Sequence, residues 1–411
     1  METWTVHQLS LSSRHLADEA TISDLKMYAS RLKRRKLPVI FTLKHLSKIS
    51  GVDYTFLRRT VERRREFSNY KMFAIKKRSG GRRHIHSLTE QLLQVQRFIN
   101  SEILKYVDVS DVSYAFSREG GIRNCATQHC GARWILKFDL ENFFYSVTET
   151  DVYYVFISLG YRPLLAFEMA RICTTLRLPN HLKYLLKGPE KFDRAKKQKL
   201  YQIPKRGYTY GKPELTLSDL EALMQGRPLE YKRDFQPSPL GVLPQGAPTS
   251  PMLSNLVARK LDEKLIEYSD SNYLVYTRYA DDLVFSSSDL NFDPKNIAKI
   301  QRDIAKIIKE SGYRVNSSKT RVAGPGARKM VLGLLVDGNT PRLSKDMVKR
   351  IDRHLYSIEK YGISAVSDYN GFDSVYGFYN HLSGLIAFTK DVDIKRWKSF
   401  HERFRNISTP R

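Results

Sequence analysis

Two aspartates stand side by side in YTRYADDLVFSSS, residues 276–288, within a run whose flanks alternate and branch like a β-strand. Neighbouring strand residues point to opposite faces, so Asp281 and Asp282 share a site only where the chain turns sharply. Alone, such a pair is weak evidence, because hairpin turns often carry Asp for its tolerance of left-handed backbone. A third carboxylate, Asp139, closes the apolar start of ILKFDLENFFYSV, residues 135–147. Three carboxylates that converge without a cation repel one another strongly. Magnesium resolves that conflict. Hard divalent ions take oxygen ligands, and a pair about 3.5–4 Å apart activates an attacking oxygen and stabilises the leaving one in an in-line phosphoryl displacement.

The elements that must position these acids follow from periodicity. Residues 42–50 and 54–65 carry helical spacing through Leu43, Leu46, Ile49, Leu57 and Val61, broken at Ser50-Gly51, and read as a packing helix pair on an N-terminal extension. In YKMFAIKKRSGGRRHIHSL, Phe73 and Ile75 alternate before a basic Ser-Gly-Gly turn followed by Arg83 and Ile85, which predicts a β-hairpin with a cationic tip. Helical spacing returns over residues 90–106, then again at about 149–158 and 164–176. From about 178 to 239 charge, Gly and Pro dominate, an inserted segment that suits either nucleic-acid contact or a solvated loop. After it, GVLPQGAPTSPMLSNL predicts a tight loop and a helix opening at Ser250-Pro251, a serine cap followed by proline at the first helical position. Gln245 and exposed backbone at that entry suit a nucleotide or template lying against the chain. Beyond residue 345 two basic helical patterns follow, and Trp397, Phe400 and Phe404 in the second read as a packed face.

Composition narrows the partner. The chain has 411 residues with 69 Lys plus Arg against 43 Asp plus Glu, a formal charge of +26 spread along its length. So large an imbalance on an enzyme-sized globular chain points to a polyanion rather than to solubility alone. With 41% hydrophobic and 11% aromatic residues the chain is too apolar for disorder, and no apolar run approaches the ~20 residues of a membrane span. Its N-terminal residues lack a basic region followed by an apolar block, so no membrane partner and a cytosolic, cytoplasmic location are expected. Cys125, Cys130 and Cys173 are an odd set; CATQHC lacks the second pair that a closed zinc site needs, and buried thiols are expected.

In combination these motifs resemble the reverse transcriptases. FDLENFF is similar to their first palm motif, LPQGAPTSP to the second, YADD to the third, GYRVNSSKT to the fourth, and VLGLLVDG to the hairpin that leads into the thumb. The resemblance runs from about residue 70 to about 360 and implies an α/β (α+β) right-hand polymerase of fingers, palm and thumb behind the N-terminal helical extension. Its expected limits are 1–68 for the extension, 69–134 for the fingers, 135–330 for the palm with its insertion, and 331–411 for the palm–thumb hairpin and basic thumb. The resemblance makes Asp139, Asp281 and Asp282 ligands of two Mg2+ ions, with the backbone carbonyl of Leu140, and makes Lys319 the donor of a proton to departing pyrophosphate. It places Lys76, Lys77 and Arg83 on the triphosphate of a dNTP substrate and Gln245 and Gly246 beside the nascent base pair. Phe144 falls where these enzymes keep an aromatic gate against a ribose 2′-OH, which implies a DNA product.

Within the family the chain resembles the bacterial retron enzymes. They carry an Asn-Ala-x-x-His element ten residues before the first catalytic Asp; here Ala126 and His129 keep the register, but Cys125 replaces the Asn. Val331-Leu332-Gly333 likewise departs from Val-Thr-Gly at its centre. The retron resemblance implies a structured noncoding RNA as template and primer, a branched RNA–DNA product (msDNA) in anti-phage defence, and a separate effector protein. His129, Lys349, Arg350, Arg353 and Lys395 become candidates for RNA contact, His129 equally for a core histidine. The departures leave open a stand-alone defence reverse transcriptase without a branched product, and an RNA-binding or maturase-like protein with a vestigial site also remains.

Overall fold

The computed structural model describes residues 19–76, 82–187, 240–289 and 294–407. Lys77 and all but the first residues of the 178–239 insertion lie outside that range. Helices α1 (Glu19–Arg34), α2 (Leu43–Ser50) and α3 (Tyr54–Val61) open the fold, α2 capped by the Thr42 side chain and α3 by Asp53. A short helix, α4 (Glu66–Asn69), leads into the antiparallel hairpin β1 (Tyr70–Lys76) and β2 (Arg82–Leu88). Helix α5 (Glu90–Phe98) runs on through a π-turn at Ile99–Ile103 and a 3₁₀ turn at Leu104–Tyr106. After α6 (Ile122–Thr127) and β3 (Trp134–Asp139) come α7 (Glu149–Leu159) and α8 (Pro163–Cys173).

The long helix α9 (Ser250–Ser271) precedes β4 (Val275–Tyr279) and β5 (Asp282–Ser287); α10 (Ile297–Glu310) and β6 (Arg321–Ala323) complete the palm. The helix start differs from expectation. Thr249 occupies the cap position with no side-chain cap bond, and Ser250 is already helical, its hydroxyl donating to the Pro244 carbonyl at 2.7 Å. The palm sheet runs β4-β5-β3-β6, all antiparallel. One face carries Leu136, Phe138, Leu283 and Phe285 onto α9 and α10, where Ile300, Ile304 and Ile308 recur at four-residue spacing. Each such side chain contributes roughly 1.5–3 kcal/mol on burial. The other face carries Ile135 and Val284 under Cys125, Ala126 and Val331.

No break in the core falls at residue 68. Leu32, Leu46 and Leu57 of the extension share one apolar cluster with Leu92, Ile99, Phe156, Met169 and Leu253. A small sheet, β7 (Met330–Val331), β8 (Leu334–Leu335) and β9 (Arg342–Leu343), leads to α11 (Lys345–Tyr361), α12 (Ile363–Tyr369), α13 (Val375–Lys390) and α14 (Ile394–Arg405), which pack on Ile351, Leu355, Phe378, Leu382, Phe400 and Phe404. Trp397 is partly buried against that cluster. Cys125 and Cys173 are buried and Cys130 is half-buried, all as thiols. No helix among the described residues is long and apolar enough to cross a membrane.

Candidate active site

The adjacent aspartates are reconciled by a two-residue turn. Tyr279 pairs with Asp282 across β4 and β5, so Ala280 and Asp281 form the tip. Ala280 has φ +55, a left-handed conformation that favours glycine at this hairpin position. Asp281 thus sits on the turn and Asp282 on the first strand residue. Asp139, the last residue of β3, pairs with Asp282 in register, and the Leu140 amide donates to the Asp281 carbonyl at 2.9 Å. Paired residues on neighbouring strands point to one face, so Asp139 and Asp282 project together at the open end of the sheet.

A second set of bonds fixes Asp139. Lys319 Nζ donates to its Oδ2 at 2.7 Å and Asn316 Nδ2 to its Oδ1 at 3.1 Å, while the Asn316 amide donates to its carbonyl at 2.8 Å. Asn316 was not among the candidates, although it lies in the same NSSKT stretch as Lys319. Burial pushes the Asp282 carboxyl up to about 6, with Asp281 and Asp139 adding to it and Lys137 and Lys319 opposing. Burial likewise raises Asp281, opposed in part by the charges of Lys319 and Arg83. For Lys319 partial burial disfavours the charge, but its bond to Asp139 and the three carboxylates outweigh it and raise the ammonium above its ordinary value. These two acids therefore stand in an excess of negative charge that a cation would relieve. Among the described residues no three His, Cys, Asp or Glu side chains already form a metal-holding group. Magnesium is ordinarily held by one or two carboxylates together with substrate phosphates and water, which this donor set fits.

The hairpin of the expected fingers is tied to the loop before α9. The His86 amide donates to the Gln245 carbonyl at 2.8 Å, and Gly246, at φ +112, lies so close that a Cβ there would stand 2.7 Å from the His86 carbonyl oxygen. Arg83 on β2 is exposed, and its charge acts on Asp281. Lys76 ends β1 opposite Arg82. Phe144, half-buried, opens a 3₁₀ turn, its ring 5.6 Å from that of Phe143. The carboxylates, Lys319 and Arg83 are thus brought together, with Gln245 and Gly246 bonded or packed against the strand that carries Arg83.

Of its two readings, His129 takes that of a core histidine. It is wholly buried under the palm sheet, its Nδ1 2.7 Å from Ser286 Oγ and its Nε2 2.7 Å from Thr277 Oγ1, and burial lowers its pKa to about 4. A side chain with no exposed surface and both nitrogens satisfied does not reach an RNA in this structure; it joins α6 to the sheet. Lys349, Arg350 and Arg353 are exposed on α11 and Lys395 on α14, well away from the carboxylates in sequence and on separate elements. Tyr356 and Lys360 continue the outward stripe of Lys349 and Arg353 at helical spacing, a feature that appears once the buried face of α11 is known.

The chain's sequence relatives support a reverse transcriptase, an RNA-directed DNA polymerase. The family model described as reverse transcriptase (RNA-dependent DNA polymerase) matches residues 230–335, a span that holds Gln245, Asp281, Asp282 and Lys319, and the sheet register adds Asp139 to them. The chain is similar to the retron Ec86 reverse transcriptase of Escherichia coli, with 27% identity covering 89% of each chain. It is also similar to the retron Mx65 reverse transcriptase of Myxococcus xanthus, with 29% identity over 90% of this chain and 72% of that one. Among solved structures, a telomerase from Candida albicans is matched over 83% of this chain and 66% of its own at 12% identity and a TM-score of 0.33. These relatives support a reverse transcriptase of the retron type.

Proposed function

We propose that the protein copies a structured noncoding RNA into DNA, with that RNA as both template and primer, in a retron system of anti-phage defence. The observation that carries the polymerase part is the register of Asp139 with Asp282, one residue from the turn that holds Asp281. Similarity to retron enzymes over most of the chain supports the finer part. Bound divalent ions, magnesium by the hardness of the donors, supply Lewis acidity to the hydroxyl that attacks and to the phosphate oxygens that leave.

The chain's own residues supply the rest. Asp139, Asp281 and Asp282 hold the cations, with the Leu140 carbonyl as a further oxygen ligand. Arg83, with Lys76 and Lys77, takes the negative charge of the incoming dNTP triphosphate. Gln245 and Gly246 flank the nascent pair, and the Phe144 ring fills the space that a ribose 2′-OH needs. The attacking hydroxyl gives its proton to water as its oxygen bonds to the α-phosphorus, the bond to pyrophosphate breaks, and Lys319, kept protonated by its carboxylate neighbours, gives its proton to the departing pyrophosphate and regains one from solvent. At initiation the hydroxyl is a specific 2′-OH of the RNA, which leaves DNA branched from RNA; a separate effector protein completes the system.

The test is the nucleic acid that purifies with the protein from its host, run on a denaturing gel before and after RNase and debranching enzyme. A discrete DNA whose mobility shifts with both treatments is expected. DNA indifferent to debranching would replace this reading with a polymerase that makes unbranched product, and RNA alone would remove the synthetic role.

A further inference from the structure

Beneath the catalytic turn lies a charged group that the chemistry above does not use. Arg278, on β4 three residues before Asp281, is wholly buried, and so is its partner Asp262 on α9. Its Nε donates to Asp262 Oδ1 at 2.8 Å and its Nη2 to Oδ2 at 2.6 Å, a two-pronged pair that fixes the guanidinium plane. Its Nη1 donates to Asn255 Oδ1 at 2.8 Å and lies 3.5 Å from the carbonyl oxygen of Ala280, the left-handed residue of the turn. The Tyr276 hydroxyl donates to Asp262 Oδ1 at 2.9 Å, and Asn255 Nδ2 to the Ala115 carbonyl at 2.7 Å. The guanidinium carbon also stands 5.9 Å from the centre of the Phe143 ring, which touches Phe144.

This one side chain therefore meets the turn of the paired aspartates, the helix that begins at the QGAPTSP loop, and the aromatic segment that follows Asp139. A buried ion pair is a poor source of stability, since apolar residues of like volume often serve as well or better. What the fork provides and a methyl group does not is fixed direction on three sides. We propose that Arg278, held by Asp262 and Asn255, is a positioning residue of the polymerase reaction, locking the Asp281–Asp282 turn in register with the nucleotide-side loop and with Phe143–Phe144. The inference rests on the reading of Asp281 and Asp282 as cation holders.

The experiment separates geometry from stability. Arg278→Met, Asp262→Leu and the double variant are compared with wild type for melting temperature and for dTTP incorporation on a poly(rA) template primed with oligo(dT), across a magnesium titration. Each single variant strands a buried charge or its partners and melts lower. The double variant strands no charge, only the neutral Tyr276 hydroxyl and Asn255 Oδ1, and is expected to melt above either single variant yet keep kcat down on the order of ten- to a hundredfold, because misplacement by about an ångström costs that much. Its half-saturating magnesium concentration rises while KM for dTTP stays within about twofold, a pattern that lost stability alone does not produce. Wild-type kcat and magnesium response in the double variant would overturn the proposal. Should that variant not fold, Asn255→Ala leaves the ion pair in place and is judged by the same kcat and magnesium criteria. Asp281→Asn runs alongside: if it stays active, the cation-holding reading falls and the clamp with it, whereas an inactive Asp281→Asn beside a fully active double variant removes the clamp alone.

Discussion

Phe144 stands five residues after Asp139 and is only half-buried, packed in part against Phe143 and against the apolar cluster that holds Leu57 and Leu92. A core residue would be covered, so the exposed part of the ring is available to meet a sugar. Phe144→Ala should admit ribonucleotides, narrowing the preference for dGTP over GTP by on the order of ten- to a hundredfold, the range that pocket shape supplies. Single-nucleotide incorporation with each substrate measures it, and an unchanged ratio would return Phe144 to the core. The carboxylates are less forgiving. Asp282→Asn keeps the shape and one hydrogen-bonding oxygen but removes the charge, and kcat should fall on the order of a hundredfold to a thousandfold, as when another fixed electrostatic group is lost at a reacting phosphate or carbonyl. RNA binding, measured by filter retention, should stay intact in the same variant; equal inertness of wild type and variant on a cognate template would favour an RNA-binding role without synthesis.

At the scale of elements, Gly246 shows how closely the hairpin and the loop before α9 meet. Its φ of +112 is costly for any side chain, and an added Cβ would stand 2.7 Å from the His86 carbonyl oxygen and 3.0 Å from Ile85 Cγ2. Gly246→Ala must push Gln245 off β2, at a cost of about 1–3 kcal/mol, and KM for the incoming nucleotide should rise more than kcat falls. A KM equal to wild type would mean that the hairpin and loop move as one. Under the sheet, His129 has a pKa near 4 against 6.5 when unfolded, so below pH 6.5 only the unfolded chain takes up the proton. Stability from this site is therefore whole at neutral pH and declines as pH falls from 6.5 towards 4, by about 3 kcal/mol in all. Urea unfolding at pH 7.5 and pH 5 should show that decline in wild type and a smaller one in His129→Gln. The sequence made the hairpins, the sheet strands and the site acids legible because period, turn residues and motif order act within short windows. It did not reveal the burial of His129, which depends on Ser286 and Thr277 about 150 residues away, nor the Arg278 fork, whose partners lie on another element. Ser250 looked like a cap from its neighbours alone, and only the Pro244 carbonyl shows where its hydroxyl goes.

Across the whole molecule the formal charge of +26 has to be placed before it explains anything. Ion pairs take none of that excess, since each sets a cation against an acid already counted: Arg63 is held by Glu149 and Glu66, Arg278 by Asp262, and, nearer the surface, Arg403 by Asp352 and Glu359. The last of these matters for the thumb helices, because Arg403 on α14 neutralises the acidic flank of α11. What α11 then offers to solvent is Lys349, Arg353 and Lys360 in one stripe around the exposed Tyr356, with Arg350 beside it. Charge with an interleaved aromatic ring suits a phosphate backbone and its bases. Each phosphate contact contributes about 0.7 to 0.9 to the slope of log affinity against log salt, according to whether the strand is single or paired. Replacing Lys349, Arg350, Arg353 and Lys395 together by Gln should therefore weaken binding of a cognate structured RNA and flatten its salt dependence by an amount that counts the contacts removed. Arg403→Gln, which exposes Asp352 and Glu359 beside the same stripe, should weaken binding without touching any of those cations. Fluorescence anisotropy over a salt series measures both. A quadruple variant with the slope of wild type would move the RNA off α11 and α14 and leave the basic stripe a solvated face.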